Sequence, residues 1–132
     1  MFVRPQVDQA GSVVDAQPGV GLLANFAAST QTADSAQTLT VAKMACGLYM
    51  RSGLTAGRTD TTDTAANILA AFPAMNIGDN FSVVVSNLAA QILTIAGGTG
   101  VTMGTKTTVA ASSMGILVFT KTSATAMTCT VL

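Results

Sequence analysis

The chain predicts an all-β fold, an antiparallel sandwich or jelly-roll-like domain, with one short α-helix at about residues 62–72 and an extended N-terminal arm. Three observations predict it. From Thr38 onward, apolar and polar residues alternate with period two in Thr- and Val-rich segments, the composition of pleated, half-buried strands. One window has helical spacing instead: Ala65, Ile68, Leu69 and Phe72 stand at i, i+3, i+4 and i+7 and make a single apolar stripe. Turn residues punctuate the rest at short intervals, as in sandwiches and small barrels.

Residues 1–36 read as the arm. They are rich in Gln, Ala, Gly, Ser and Val, are broken at Pro5 and Pro18-Gly19, and keep no period. Their apolar stretch, Val20 to Phe26, suits a segment lying along a neighbouring subunit or along its own sheet, with a solvated tail as the alternative. The domain proper is expected over 37–132. Its strands are predicted at Thr38 to Ala45, Gly47 to Ser52, Phe81 to Asn87, Gln91 to Ala96, Gly100 to Met103, Thr105 to Ala110, Gly115 to Thr122 and Ala126 to Leu132. In the last, Met127, Cys129 and Val131 should face the core and Thr128 and Thr130 the outside. Thr61 or Thr62 can cap the helix, Asp63 suits its first turn, and Pro73 ends it at about Phe72. Three similar segments beginning at Ala36, Ala90 and Ala126 are unequally spaced, which argues against a true repeat.

Composition narrows function. Hydrophobic residues make up 49% of the chain and charged residues 9%, against about 25% in an ordinary soluble protein. So little charge implies that other subunits cover much of the surface. The six basic residues, Arg4, Lys43, Arg51, Arg58, Lys106 and Lys121, are scattered and balanced by six acidic ones, which argues against nucleic acid as a partner. No apolar run approaches the ~20 residues of a membrane helix, and Arg4, Pro5 and Asp8 interrupt any signal-like segment. Synthesis in a cytosol without membrane insertion is expected. Cys46 and Cys129 sit in strand-like sequence and are expected as core thiols rather than a disulfide. Asn80-Phe81-Ser82 spells a glycosylation acceptor but lacks the secretory context.

Catalytic equipment is sparse. The chain has no histidine, glutamate or tryptophan, leaving six aspartates as its only side-chain carboxylates. Asp60 and Asp63 could pair as acid and base or join threonine hydroxyls around calcium, but aspartate at a helix start is ordinary capping chemistry. Gly19 to Ala24 matches the letters of a dinucleotide fingerprint without a strand before it or an acidic residue about 20 positions on. Gly98 to Lys106 resembles a phosphate loop only loosely, and a hairpin turn explains its glycines better. Tyr49 and the five phenylalanines are expected as core filling rather than a stacking platform. No catalytic, cofactor-binding or metal-binding residues are assigned, and no cofactor is expected.

The run Arg51-Ser-Gly-Leu-Thr-Ala-Gly-Arg-Thr-Asp-Thr-Thr-Asp-Thr-Ala65, then Ile68-Leu-Ala-Ala-Phe-Pro73, Gly78-Asp-Asn-Phe81 and Ala96-Gly-Gly-Thr-Gly-Val-Thr-Met103, resembles a β-rich family of tailed-bacteriophage virion proteins. Its members are capsid decoration (cement) proteins or modules of head and tail fibres. The resemblance spans about residues 38–132. It implies a non-enzymatic structural protein, made in the host cytoplasm, that sits on the outer capsid surface of the virion and stabilises the assembled shell. Its implied partners are its own copies, as a homotrimer, and the major capsid protein, with no nucleic acid, membrane or small-molecule substrate. A head-fibre, tail-fibre or spike module for host-surface adsorption is the alternative. The matched positions are structural, so no functional residue carries over.

Overall fold

The computed structural model describes residues 27–132. Residues 1–26 of the predicted arm, and with them the Gly19 to Ala24 motif, lie outside the described residues. In chain order the elements are β1 (Ser29–Gln31), β2 (Thr38–Leu39), α1 (Val41–Met44), β3 (Leu48–Arg51), β4 (Arg58–Thr62) and α2 (Ala65–Ala71). They continue with β5 (Asn80–Asn87), β6 (Leu93–Ala96), β7 (Val101–Met103), β8 (Thr108–Val109), β9 (Ser113–Lys121) and β10 (Met127–Val131). Two sheets result, one of six strands in the order β1-β3-β5-β9-β10-β7 and one of four in the order β2-β4-β6-β8.

The sheets are mixed, which corrects the antiparallel expectation. From β1 to β9 the chain places each successive strand in the other sheet. As far as β7 it re-enters each sheet two strands later travelling in the same direction, and β8 then reverses against β6. β1–β3, β3–β5, β2–β4 and β4–β6 pair in parallel as a result, and β7–β10 is parallel too. Parallel neighbours need a long crossover, and here the strand and helix of the opposite layer supply it. The antiparallel pairs are β5–β9, β9–β10 and β6–β8.

The helix stripe appears as expected. In α2, Ala65 and Ile68 are buried, and Leu69 and Phe72 pack against the core. The cap is Thr64, whose hydroxyl accepts from the Asn67 amide at 3.2 Å, not Thr61 or Thr62. Those two residues belong to β4, because Arg58–Thr62 is drawn into pairing between β2 and β6. The strand predicted at Thr38 to Ala45 ends at Leu39, where Thr40 caps α1 and Asp63 accepts from the Val41 amide at 3.1 Å. A local pattern that suits a strand is overridden by a partner 22 residues away. Only Thr108–Val109 of the predicted Thr105 to Ala110 strand is paired. The glycines after β6 make no hairpin, since β6 and β7 lie in different sheets. A Cβ on Gly98 would stand 2.5 Å from the Thr62 carbonyl oxygen and 2.6 Å from that of Asp63, so only glycine lets the crossing chain pass α2's entrance.

One core joins both sheets. Val83, Val85, Leu117 and Phe119 come from the six-stranded sheet and Leu39, Leu93, Ile95 and Val109 from the four-stranded one. In β10, Met127, Cys129 and Val131 are buried and Thr130 is exposed, matching the predicted alternation. Both described cysteines are free thiols, but Cys46 follows α1 half-buried, whereas Cys129 is fully buried. Burial pushes the Cys129 thiol up to about 12, so it carries almost no thiolate near neutral pH. A thiol reagent applied to the native protein at about pH 8, near the ordinary thiol value, should label Cys46 and spare Cys129, and label both in denaturant. Equal native labelling, read by peptide mass spectrometry, would contradict this packing.

Candidate functional site

The most polar buried feature is an inter-sheet clamp. Alternation on β3 turns Tyr49 and Arg51 inward, and alternation on β4 turns Asp60 inward. The three side chains are wholly buried. Arg51 forks onto Asp60, with Nε donating to Oδ2 at 2.7 Å and Nη2 to Oδ1 at 3.3 Å, while the Tyr49 hydroxyl donates to Oδ2 at 2.9 Å. The Gln37 amide donates to Oδ1 at 3.0 Å. The remaining Arg51 donors reach the carbonyls of Ala33 at 2.7 Å, Ser35 at 2.5 Å and Ser52 at 3.4 Å. Burial first, then the Asp60 carboxylate, raises the Tyr49 hydroxyl above its usual range and keeps it a donor. Every guanidinium N–H is occupied and Asp60 accepts four bonds, so no capacity is left for a substrate. Residues 33–36 of the predicted arm, together with Gln37, are thereby fastened to the body.

Asp60 and Asp63 are not brought together as an acid–base pair. Asp63 has separate partners, accepting from the Val41 and Thr64 amides and from Asn67 Nδ2 at 2.7 Å. Desolvation opposes its ionisation, but those three bonds hold its carboxyl below the ordinary range. Among the described residues no group of three or more His, Cys, Asp or Glu side chains could hold a metal ion. Asp34 is different in kind. It is half-exposed and binds the Thr55 hydroxyl and amide and Arg58 Nε at 3.0 Å. The Thr55 hydroxyl, followed by Arg58, brings its carboxyl down to about 2. A lowered carboxylate stabilises the fold above its unfolded value and ceases to do so as pH falls. Asp34→Asn should therefore lower the thermal midpoint at about pH 6, with the gap closing between about pH 4 and about pH 2.

The exposed feature of interest is the outer face of the six-stranded sheet. Register places Leu48 beside Val84, Val84 opposite Ile116, and Ile116 opposite Leu132 through two backbone bonds, giving an apolar row across four neighbouring chain segments. A second row holds Met50, Ser86 and Met114. Around them stand Ser82, Val118, Thr130, Thr128 and Thr102, and the outward positions of these strands carry no charged side chain. Met114 is 66% exposed, Leu132 62% and Ile116 39%. The charges lie elsewhere: Lys43 Nζ donates to the Thr38 carbonyl, Lys121 Nζ to that of Met75, and Arg58 pairs with Asp34.

A shallow depression of about 690 Å³ opens at the C-terminal end of α2, lined by Phe72, Pro73, Met75, Asp79 and Asn80 among others. Phe72 meets Phe81 at a tilt of 38° with ring centroids 4.8 Å apart, and Phe81 stacks on Phe119 at 5.1 Å, so these aromatics run as a continuous series into the core. Tyr49 is buried.

In the sequence Arg51 is one of six scattered basic residues, with no role assigned to it. Its alternation with Leu48 and Met50 on one strand was the signal that it shares the face of Tyr49. The outer rows had no signal at all, because they exist only through cross-strand register.

Fold and face together define a charge-poor protein of two mixed β-sheets that, among the described residues, presents an apolar, uncharged outer sheet surface. No protein-family model matches the chain, and neither a curated protein nor a solved structure shows significant similarity to it.

Proposed function

We propose that this chain is a non-enzymatic structural protein of a tailed-bacteriophage virion, a decoration (cement) protein that binds the outer surface of the head and stabilises the assembled shell. The uncharged outer face of the six-stranded sheet carries the reading. A face ruled by Leu48, Val84, Ile116 and Leu132 and bordered by Thr and Ser suits close packing against protein, where a charged face would be costly to desolvate. The sequence resemblance points the same way. In this reading the two sheets act as a sandwich-like slab, the copies associate as a homotrimer, and the major capsid protein is the other partner. Stabilisation follows from mass action: binding available only on the assembled shell adds to the stability of that shell. The clamp of Arg51, Asp60 and Tyr49 serves this role by keeping the slab stiff.

The test is the copy number of this chain relative to the major capsid protein in purified particles, by quantitative mass spectrometry. A simple ratio to the shell subunit is expected, and absence from particles would overturn the proposal. The depression beside Phe72, Pro73 and Asn80 favours a second reading, a fibre or spike module contacting a host surface. That reading requires a handful of copies per particle.

A further inference from the structure

The outer face of the six-stranded sheet carries an oxidisable group that docking alone does not use. In its second row, register sets Met50 beside Ser86 and Ser86 opposite Met114, so two thioethers flank one hydroxyl on a surface without charge. Met114 is 66% exposed, whereas Met44 and Met127 are buried in the core. Met114 also borders a hollow of about 290 Å³ whose other walls include Ser86, Ser112 and Ser113. Directly opposed residues in an antiparallel pair hold their Cβ atoms about 5 Å apart, which brings the hydroxyl of Ser86 and the thioether of Met114 to one site. An accessible sulfur beside serine hydroxyls suits a small oxidant that hydrogen-bonds.

We propose that Met114 is a site of modification by hydrogen peroxide, and that its sulfoxide turns this part of the face from apolar to polar. The sulfur lone pair attacks one peroxide oxygen, an S–O bond forms and the O–O bond breaks. The second oxygen leaves as water, taking up the proton of the first. Sulfur loses two electrons and the peroxide gains them. The product is polar and chiral where the thioether was flexible and apolar. Against an apolar partner the sulfoxide oxygen must be desolvated, so oxidation opposes docking through this face. That consequence rests on the shell-binding reading, whereas the reactivity of Met114 does not.

The experiment exposes the full-length protein to dilute hydrogen peroxide under native conditions and follows each methionine by peptide mass spectrometry. Oxidation of a buried thioether waits for the core to open, so Met114 should react at least about tenfold faster than Met44 and Met127. The folded product is then run on a phenyl column, which reads exposed apolar surface. Wild type should elute earlier after brief treatment, and Met114→Leu, which keeps an apolar side chain there, should not. Reaction of Met114 at the rate of Met127 would overturn the proposal, as would an equal loss of retention in Met114→Leu. Neither readout involves particles, so failure here is distinct from failure of the cement reading, which the copy number decides.

Discussion

Asp60→Ala is expected to cost about 3–5 kcal/mol, because removing one partner leaves the Arg51 guanidinium buried without its counter-charge. Against the 5–15 kcal/mol that holds a typical domain together, this brings the protein to the edge of unfolding. The loss is not confined to one ion pair. Asp60 also accepts from Tyr49 and from the Gln37 amide, so the crossing segment 33–37 loses its anchor to β4 in the same step. Tyr49→Phe removes a single donor and should cost about 1 kcal/mol. Urea denaturation of the three proteins checks the ranking. An Asp60→Ala variant within about 1 kcal/mol of wild type would mean that apolar packing, not the clamp, holds the sheets together.

Under the proposed shell-binding role, Ile116→Asp should leave the fold intact and weaken association strongly. Ile116 lies outward at the centre of β9, and surface substitutions away from buried networks usually shift stability by less than about 0.5 kcal/mol. At an interface the same carboxylate must be desolvated without a partner. A loss of about 3 kcal/mol there weakens binding about a hundredfold. Co-sedimentation with particles lacking the protein measures it, with Ile77→Asp as the control, because Ile77 is 68% exposed in the loop between α2 and β5. If Ile116→Asp binds as well as wild type, the outer sheet face is not the contact surface.

Much of the local structure is legible in the residues. Apolar spacing at Ala65, Ile68, Leu69 and Phe72 marks α2 and its inward stripe, and the alternation in Met127 to Val131 assigns every side chain of β10 to its face. Strands 47–52, 81–87 and 115–122 were placed within a residue or two of β3, β5 and β9. Errors fall where a distant group decides. Val41 to Met44 has strand-forming residues at its head, yet Thr40 and the Asp63 carboxylate nucleate a helical turn there. Arg58 to Thr62 reads as the approach to a helix, yet two flanking strands claim it.

The sequence by itself determined the β-rich character, the position of the longer helix, the in-or-out sense of the strands it marked correctly and the scarcity of charge. Tertiary structure alone decided that the sheets are mixed, that Arg51 meets Asp60, and that Leu48, Val84, Ile116 and Leu132 line up on one face. The reason is physical. Side-chain periodicity is a property of a single segment and reports which face is buried, whereas strand partner, direction and register arise from backbone pairing between segments distant along the chain.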